Sequence, residues 1–264
     1  GLTGESWFHR FSLEDFWAAT NSFSVRVGAN TFDLNGVNLD LPQLTGSLQY
    51  ASPLTGWPVT VLSPGIMGWY GLVPFMECFH GIVSFGHELV GELSVEGDPV
   101  SFSGGRGYIE KDWGKAFPAG YVWLQTNHFN EDSSASLIAS VAIIPWLGGA
   151  FRGYIIGFKR AGKLYRWTTY NGSAEQLLRI DDSHVHWQVT GPDGRLEIRA
   201  SRVAGGLLHA PIRAAMYRRV EETMLAEIEL NQFDTSGQLI FSDVGRFASM
   251  EVFGDLKKLL SIKT

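Results

Sequence analysis

Apolar and polar residues alternate along most of this chain, and stripes at the 3.6-residue helical period are scarce. Phe23, Val25 and Val27 alternate with Ser22, Ser24 and Arg26, ahead of a turn at 28–30. Successive side chains on a strand point to opposite faces, so such segments pleat with one apolar face and gain nothing from coiling. The same pattern predicts strands at 45–51, 58–63, 80–86, 89–96, 107–113, 121–129, 135–144, 150–158, 163–170, 175–181, 184–190 and 195–202. Turn chemistry separates them, as at Asn171-Gly172, Asp181-Asp182, Pro192 to Gly194 and Ser236-Gly237. Segment 216–230 also reads as a strand, with Met224, Ala226, Ile228 and Leu230 alternating against Leu225, Glu227 and Glu229. Residues 12–15 resemble a helix start, with Ser12 as N-cap and acids behind it, and support two or three turns at most. Many short strands at this spacing predict an all-β fold, a sandwich or barrels, with few short helices.

A chain of 264 residues can bury one large core or two smaller ones. Its 13% aromatic content, with nine Trp against only 18% charged residues, supplies more aromatic surface than packing alone requires. The formal charge of −6 argues against nucleic acid as the main partner, since no basic run exists to displace counterions. One cysteine, Cys78, excludes an internal disulfide framework and a cysteine-rich zinc site, and it fits a reducing, cytoplasmic setting. No signal peptide is visible at Gly1, and the longest apolar run, 137–151, is broken by Ser140, Pro145 and two glycines. The break predicts strand, turn and strand rather than a membrane span. A domain boundary is expected near 117–120, giving units 1–117 and 118–264.

The chemistry gathers in 104–118, which holds Arg106, Tyr108, Glu110, Lys111, Asp112, Trp113 and Lys115 among four glycines. On a strand, Tyr108, Glu110 and Asp112 share one face, and Ile109, Lys111 and Trp113 the other. Same-face neighbours lie roughly 7 Å apart, so two carboxylates in a partly apolar pocket repel each other and keep one acid protonated near neutral pH. The competing reading pairs both acids with Arg106, Lys111 or Lys115 as a scaffold. On the following strand Tyr121, Trp123, Gln125, Asn127 and Phe129 share a face. Its two amides can orient a polar ring while the aromatics hold the apolar remainder, or they can bond neighbouring backbone.

A third cluster, 68–81, brings Trp69, Tyr70, Met76, Glu77 and His80 within a dozen residues. His80 with Glu77 can act as a donor pair or as a structural hydrogen-bonder. Cys78 has no neighbouring base and reads as core. His184 and His186 could meet a metal on one strand face, but no third ligand is evident, so no metal is expected. Ser84 and Ser103 lack a nucleophile elbow, and the glycines at 104–107 lead into a strand, where they make a poor phosphate cradle. Arg218, Arg219, Glu221 and Glu222 form a charge cluster that reads as a solvated ladder, with Glu222 worth inspection.

The segment GRGYIEKDWG at 105–114, followed by Phe117-Pro118 and by Trp123, Gln125, Asn127 and Phe129, resembles the signature of the tocopherol cyclase family. Segments 68–70, 74–80 and 23–36 are similar to its bacterial members. A weaker resemblance links the chain to carotenoid hydratase and AttH-like proteins, with Tyr108, Glu110 and Trp113-Gly114 on their motif and Lys111 where that motif has His. The resemblance implies two lipocalin-like antiparallel barrels, 1–117 and 118–264, the first lacking its opening strands. It implies a cofactor-free cyclase or hydratase acting on a prenylated quinol or other lipophilic isoprenoid. Glu110 would be the acid, with Asp112, Tyr108 and His80 as catalytic partners. Trp69, Tyr70, Met76, Glu77, Lys111, Trp113, Trp123, Gln125 and Asn127 would bind substrate, delivered through peripheral membrane contact. A non-catalytic lipid carrier is the rival reading, and a carbohydrate-binding sandwich with solvent-facing Trp a third.

Overall fold

The computed structural model describes residues 5–212 and 215–264. Contacts group the described residues into two compact units: 5–6, Trp57–Ile82 and Glu110–Thr264 form the larger, and Trp7–Gly56 and Val83–Ile109 the smaller. The units interleave along the sequence, so no single cut, at 117/118 or elsewhere, separates them. Among the described residues no helix is long and apolar enough to cross a membrane.

One antiparallel sheet runs β1 (Phe16–Ala18), β2 (Ser24–Val27), β3 (Asn30–Asp33), β4 (Gly36–Leu41), β5 (Leu44–Tyr50), β6 (Cys78–Val95) and β7 (Asp98–Ser101), and β8 (Arg106–Gly114), off this path, also pairs with β6. In the smaller unit Leu48, Leu89 and Leu93 form a core, with Val37, Leu39, Leu44, Tyr50 and Phe102 packed against it. The predicted strands 80–86 and 89–96 are a single strand, Cys78–Val95, which runs through His87 and Glu88 without a turn. Within it Gly91 adopts φ +135° where any Cβ would stand 2.4 Å from the Ser47 carbonyl oxygen. Residues 58–63 form no strand, only an isolated bridge between Thr60 and Ser63. The expected helix at 12–15 is one 3₁₀ turn, Leu13–Asp15.

The second sheet holds β9 (Gly120–Thr126), β10 (His128–Phe129), β11 (Ser136–Trp146), β12 (Gly149–Arg160), β13 (Lys163–Thr168), β14 (Ala174–Ile180), β15 (His184–Gly191), β16 (Gly194–Ser201), β17 (Gly206–Ile212), β18 (Ala215–Phe233) and β19 (Leu239–Gly254). Its order is β13-β12-β11-β9-β19-β18-β16-β15-β14, all antiparallel, with β10 on β19 and β17 on β18. One core takes a face of nearly every strand: Val122 and Leu124, Val141 and Ile143, Tyr154 and Phe158, Trp167, Trp187, Leu196, Ile228 and Met250. A single sheet can enclose one core only by curling on itself. Its edge strand β13 is tied to the β15–β16 turn by Trp167 Nε1 donating to the Gly194 carbonyl at 2.9 Å, and by Arg166 N donating to Asp193 Oδ2 at 2.8 Å. The all-β antiparallel class is as the alternation predicts. Among the described residues no ladder joins the edge strands β13 and β14, so hydrogen bonding does not close the sheet into the expected barrel.

Residues 216–230 form the predicted strand, with Ala226, Ile228 and Leu230 buried. Met224 departs from it and is exposed, because the ladder with β19 shifts register between Thr223 and Ala226. A short helix, α1 (Leu256–Ser261), closes the chain over this core through Leu259, its N-cap Asp255 accepting from Lys258 N.

Candidate active site

The site lies in the larger unit, where 78–82 of β6 runs beside 110–114 of β8. Gly114 permits the approach: at φ +151°, a Cβ there would stand 2.2 Å from the Glu77 carbonyl oxygen. Strand parity divides β8 as expected. Lys111 and Trp113 lie on the exposed face, the Lys111 ammonium 4.7 Å from the Trp113 ring and Phe79 stacked on that ring at 5.5 Å. Glu110 and Asp112 take the other face, where His80 Nδ1 lies 2.9 Å from Glu110 Oε1 and 2.7 Å from Asp112 Oδ1. Trp123 Nε1, from β9, donates to Glu110 Oε2 at 3.3 Å.

The second sheet contributes the face turned away from its core. Val122, Leu124 and Thr126 point inward, so Tyr121, Trp123 and Gln125 point outward. Across the strands Trp123 stands between Ser140 and Glu251, Tyr121 between Ala142 and Phe253, and Gln125 between Ile138 and Ser249. Glu251 in turn opposes Glu222 of β18. The Tyr121 hydroxyl donates to Glu251 Oε2. Gln125 is 7% exposed, and its Nε2 has no hydrogen-bond partner among the described residues.

These surroundings set the charges. Burial by itself would pull the His80 imidazole down, but hydrogen bonds and charge attraction from Asp112 and Glu110 outweigh it and push its pKa up to about 10. At neutral pH His80 is therefore an imidazolium held between two acids. Their three donor atoms lie within 4.8 Å of one another, a spacing that would also suit a small cation. Glu251 is raised to about 7, first by burial and then by repulsion from Glu222, Asp112 and Glu110, against the lowering effect of the Tyr121 hydrogen bond. Glu222 is raised by burial and by Glu110, with a Ser249 hydrogen bond opposing. Burial and the proximity of Asp112 and Glu110 push the Cys78 thiol up to about 12, which keeps it an inert thiol.

Beside this cluster opens a mostly apolar cleft, whose empty volume with the solvent at its mouth is about 630 Å³. Met67, Tyr70, Met76, Ile143, Ile144, Pro145, Phe151, Ile155 and Tyr170 form its walls; Glu77, His80, Ser140 and Thr169 are among its polar members. Trp69 stacks on Tyr70 at 4.0 Å, and Trp146 meets Tyr70 at 5.6 Å, Phe151 at 6.1 Å and Phe75 at 5.3 Å. A hydrophobic wall with a few convergent polar groups is the usual form of a small-molecule site.

Of the residues singled out from sequence, His80, Glu110, Asp112 and Trp123 meet in one hydrogen-bonded group. Tyr70, Met76 and Glu77 line the cleft, with Trp69 stacked behind Tyr70. Gln125 shares the outward face of β9, and Asn127 is buried just past its end. Lys111 and Trp113 are corrected: parity turns them to the face opposite the acids. Tyr108 has the parity of Glu110 but falls in the smaller unit, half-buried. His80 takes its acids from β8, not from Glu77 as its sequence neighbour suggested. Glu251 and Ser249 carry no signal in the sequence pattern, and Ser140 reads there only as a break in an apolar run. Tyr121 has the expected face, and Glu222 stands out only as a member of a charge cluster.

The tocopherol cyclase-like family description matches residues 47–254. The chain belongs to the tocopherol cyclase-like family. That match spans the His80 group, the outward strand face with Glu222 and Glu251, and the cleft. A protein described as a probable chloroplastic tocopherol cyclase from Oryza sativa subsp. japonica is 25% identical over 224 residues, 80% of this chain and 47% of that one. A chloroplastic tocopherol cyclase from Zea mays is 24% identical over 224 residues, with the same 80% and 47% coverage. This tocopherol cyclase-like chain thus spans about half the length of these relatives. The crystal structure of CghA with Sch210972 superposes with a TM-score of 0.50 at 12% identity, covering 90% of this chain and 69% of that one. At that identity the likeness concerns the fold alone.

Proposed function

We propose that this protein closes a ring on a lipophilic prenylated phenol or quinol by adding the phenol O–H across a trisubstituted alkene. The observation that carries the proposal is an imidazolium clamped between two carboxylates at the polar edge of an apolar cleft. The isoprenoid tail lies along Tyr70, Ile144 and Phe151, and the phenolic ring faces His80 and Asp112. A proton adds to the less substituted alkene carbon, the phenol oxygen bonds the tertiary carbon, and the phenol proton leaves to a carboxylate. The sum is an isomerisation without oxidation or reduction, which calls for no cofactor. Glu110 and Asp112 outnumber the single His80 charge, so their field favours the developing tertiary cation. Tyr70 can face that cation, worth up to about 2 kcal/mol when desolvated. Asp112, with 29% of its side chain exposed against 9% for Glu110, is the better placed to take the phenol proton. Glu110 already accepts at both oxygens, from His80 and Trp123, and serves as the fixed counter-charge. Gln125 Nε2 offers its vacant donor to a ring oxygen.

Exposed Trp69, Leu72 and Phe75, beside the cleft, support delivery of substrate from a lipid surface. The reaction is tested by incubating the protein with a prenylated hydroquinone in D₂O. Cyclised product carrying one carbon-bound deuterium is expected, and Glu110→Gln with Asp112→Asn should reduce its rate about 10²-fold or more while binding persists. Tight binding with no product under reducing conditions would sink the cyclase reading in favour of a carrier.

A further inference from the structure

We propose that Glu222 and Glu251 share a single proton and that Glu251, acting through the Tyr121 hydroxyl, supplies the proton that the alkene receives. The inference rests on the ring-closure reading and names the acid in it. Glu222 and Glu251 are direct cross-strand partners on β18 and β19, which places their Cβ atoms about 4.5–5.5 Å apart on one face. Like charges so opposed destabilise a sheet unless one is neutral. Among the described residues neither acid enters an ion pair. The groups facing the pair from neighbouring elements add to the problem: Glu110 and Asp112 come from β8. The nearby cation, Arg218, instead donates to the Phe117 carbonyl at 3.2 Å and lies 5.3 Å over the Phe253 ring. A retained proton relieves four mutually repelling acids of which only Glu110 and Asp112 bond a cation, His80, and the raised proton affinity of both Glu222 and Glu251 agrees.

Tyr121 connects the pair to the cleft. Its hydroxyl is bonded to Glu251, and its cross-strand neighbour Ala142 forms part of the cleft wall. In the step proposed, the Tyr121 hydroxyl turns its hydrogen from Glu251 to the alkene, the protonated Glu251 donates to the Tyr121 oxygen instead, and the Tyr121 O–H bond breaks as the new C–H bond forms. The Glu251 proton moves to the Tyr121 oxygen, leaving Tyr121 neutral and Glu251 a carboxylate. The phenol proton released on ring closure restores the balance through Asp112 and solvent. Tyr121 never holds a lasting negative charge, as its strongly raised pKa, set by burial and by Glu251, requires.

Infrared spectroscopy and kinetics test this together. Wild-type protein at about pH 6 should show a protonated-carboxyl band that fades as pH rises through about 7. Glu251→Gln and Glu222→Gln should each lose it, whereas Tyr121→Phe should keep it. Ring closure should fall about 10²-fold or more in Glu251→Gln and Tyr121→Phe, with prenyl-quinol binding by Trp fluorescence unchanged. A wild type without the band, or a Glu251→Gln variant that folds by circular dichroism and cyclises at the wild-type rate, overturns the proposal. Should the wild type make no product at all, the ring-closure reading falls with its relay, while the band and its loss in both Gln variants still decide whether the pair shares a proton.

Discussion

His80 and His87 lie on the same strand, β6, and their neighbours drive them to opposite charge states. His80 meets Glu110 and Asp112 and is pushed up to about 10. His87, in the smaller unit, is 3% exposed, bonds the Ser84 hydroxyl at 3.0 Å and meets the Tyr50 ring edge-on at 4.4 Å. Burial first, and then Arg106, lowers its pKa. A Cβ at Gly107 would stand 2.3 Å from His87 Nε2, so the backbone there closes on the ring and leaves no space for a ligand. Burial disfavours charge on both imidazoles. What separates a structural histidine from a site histidine is the sign of the groups it meets, not its depth.

The contrast should break most visibly when those acids are removed. In Glu110→Gln with Asp112→Asn, His80 keeps its burial and loses its counter-charges. Its pKa should fall from about 10 to below the ordinary 6.5, into the regime of His87. Histidine ¹⁵N chemical shifts followed against pH would read both rings in one experiment. A His80 that still titrates far above 6.5 in the double variant would mean that some other group holds its charge.

Much of this arrangement was legible in the sequence, and its limits are physical. Alternation exposed the all-β class because each strand buries one face against a common core. Parity on 107–113 correctly set Glu110 and Asp112 apart from Lys111 and Trp113. Spacing along one strand, however, says nothing about which other strand lies alongside, so His80 appeared next to Glu77 when its acids come from β8. Glu251 stayed hidden for a different reason. Phe247, at φ +48°, and Gly245 interrupt the alternation of β19, and its ladder shifts register more than once. A strand whose period slips cannot be read by period, and the acid it carries is lost with it. His87 and Glu88 mislead in the opposite sense, since two adjacent polar side chains look like a break but lie inside one continuous strand.

The comparison also has a stability form. The folded-state pKa of His80 lies above its unfolded value, so its contribution is complete below about 6.5 and fades as pH rises through about 10. His87 is depressed, so its contribution is complete above about 6.5 and fades as pH falls through its lowered value. His80→Gln should therefore cost about 3 kcal/mol near pH 6, because two facing carboxylates lose their cation, and much less near pH 10. Urea melts at the two pH values would show it. Equal costs at both would mean that packing, not charge, is what His80 contributes.

The smallest effect is expected from the residue between the two acids. Lys111 is adjacent in sequence to both Glu110 and Asp112, yet its ammonium lies over Trp113 on the exposed face. An exposed cation–π contact is worth about 0.5–1 kcal/mol, and water screens its charge from groups across the sheet. Lys111→Ala should lower stability by no more than that and leave the His80 titration within about 0.3 pH units of wild type. The test separates parity from proximity. Were Lys111 part of the acid network, its loss would raise His80 further by leaving both carboxylates to a single cation. An unmoved His80 would show that one peptide unit along a strand, by reversing the face, isolates a charge more completely than several ångströms of distance on the same face.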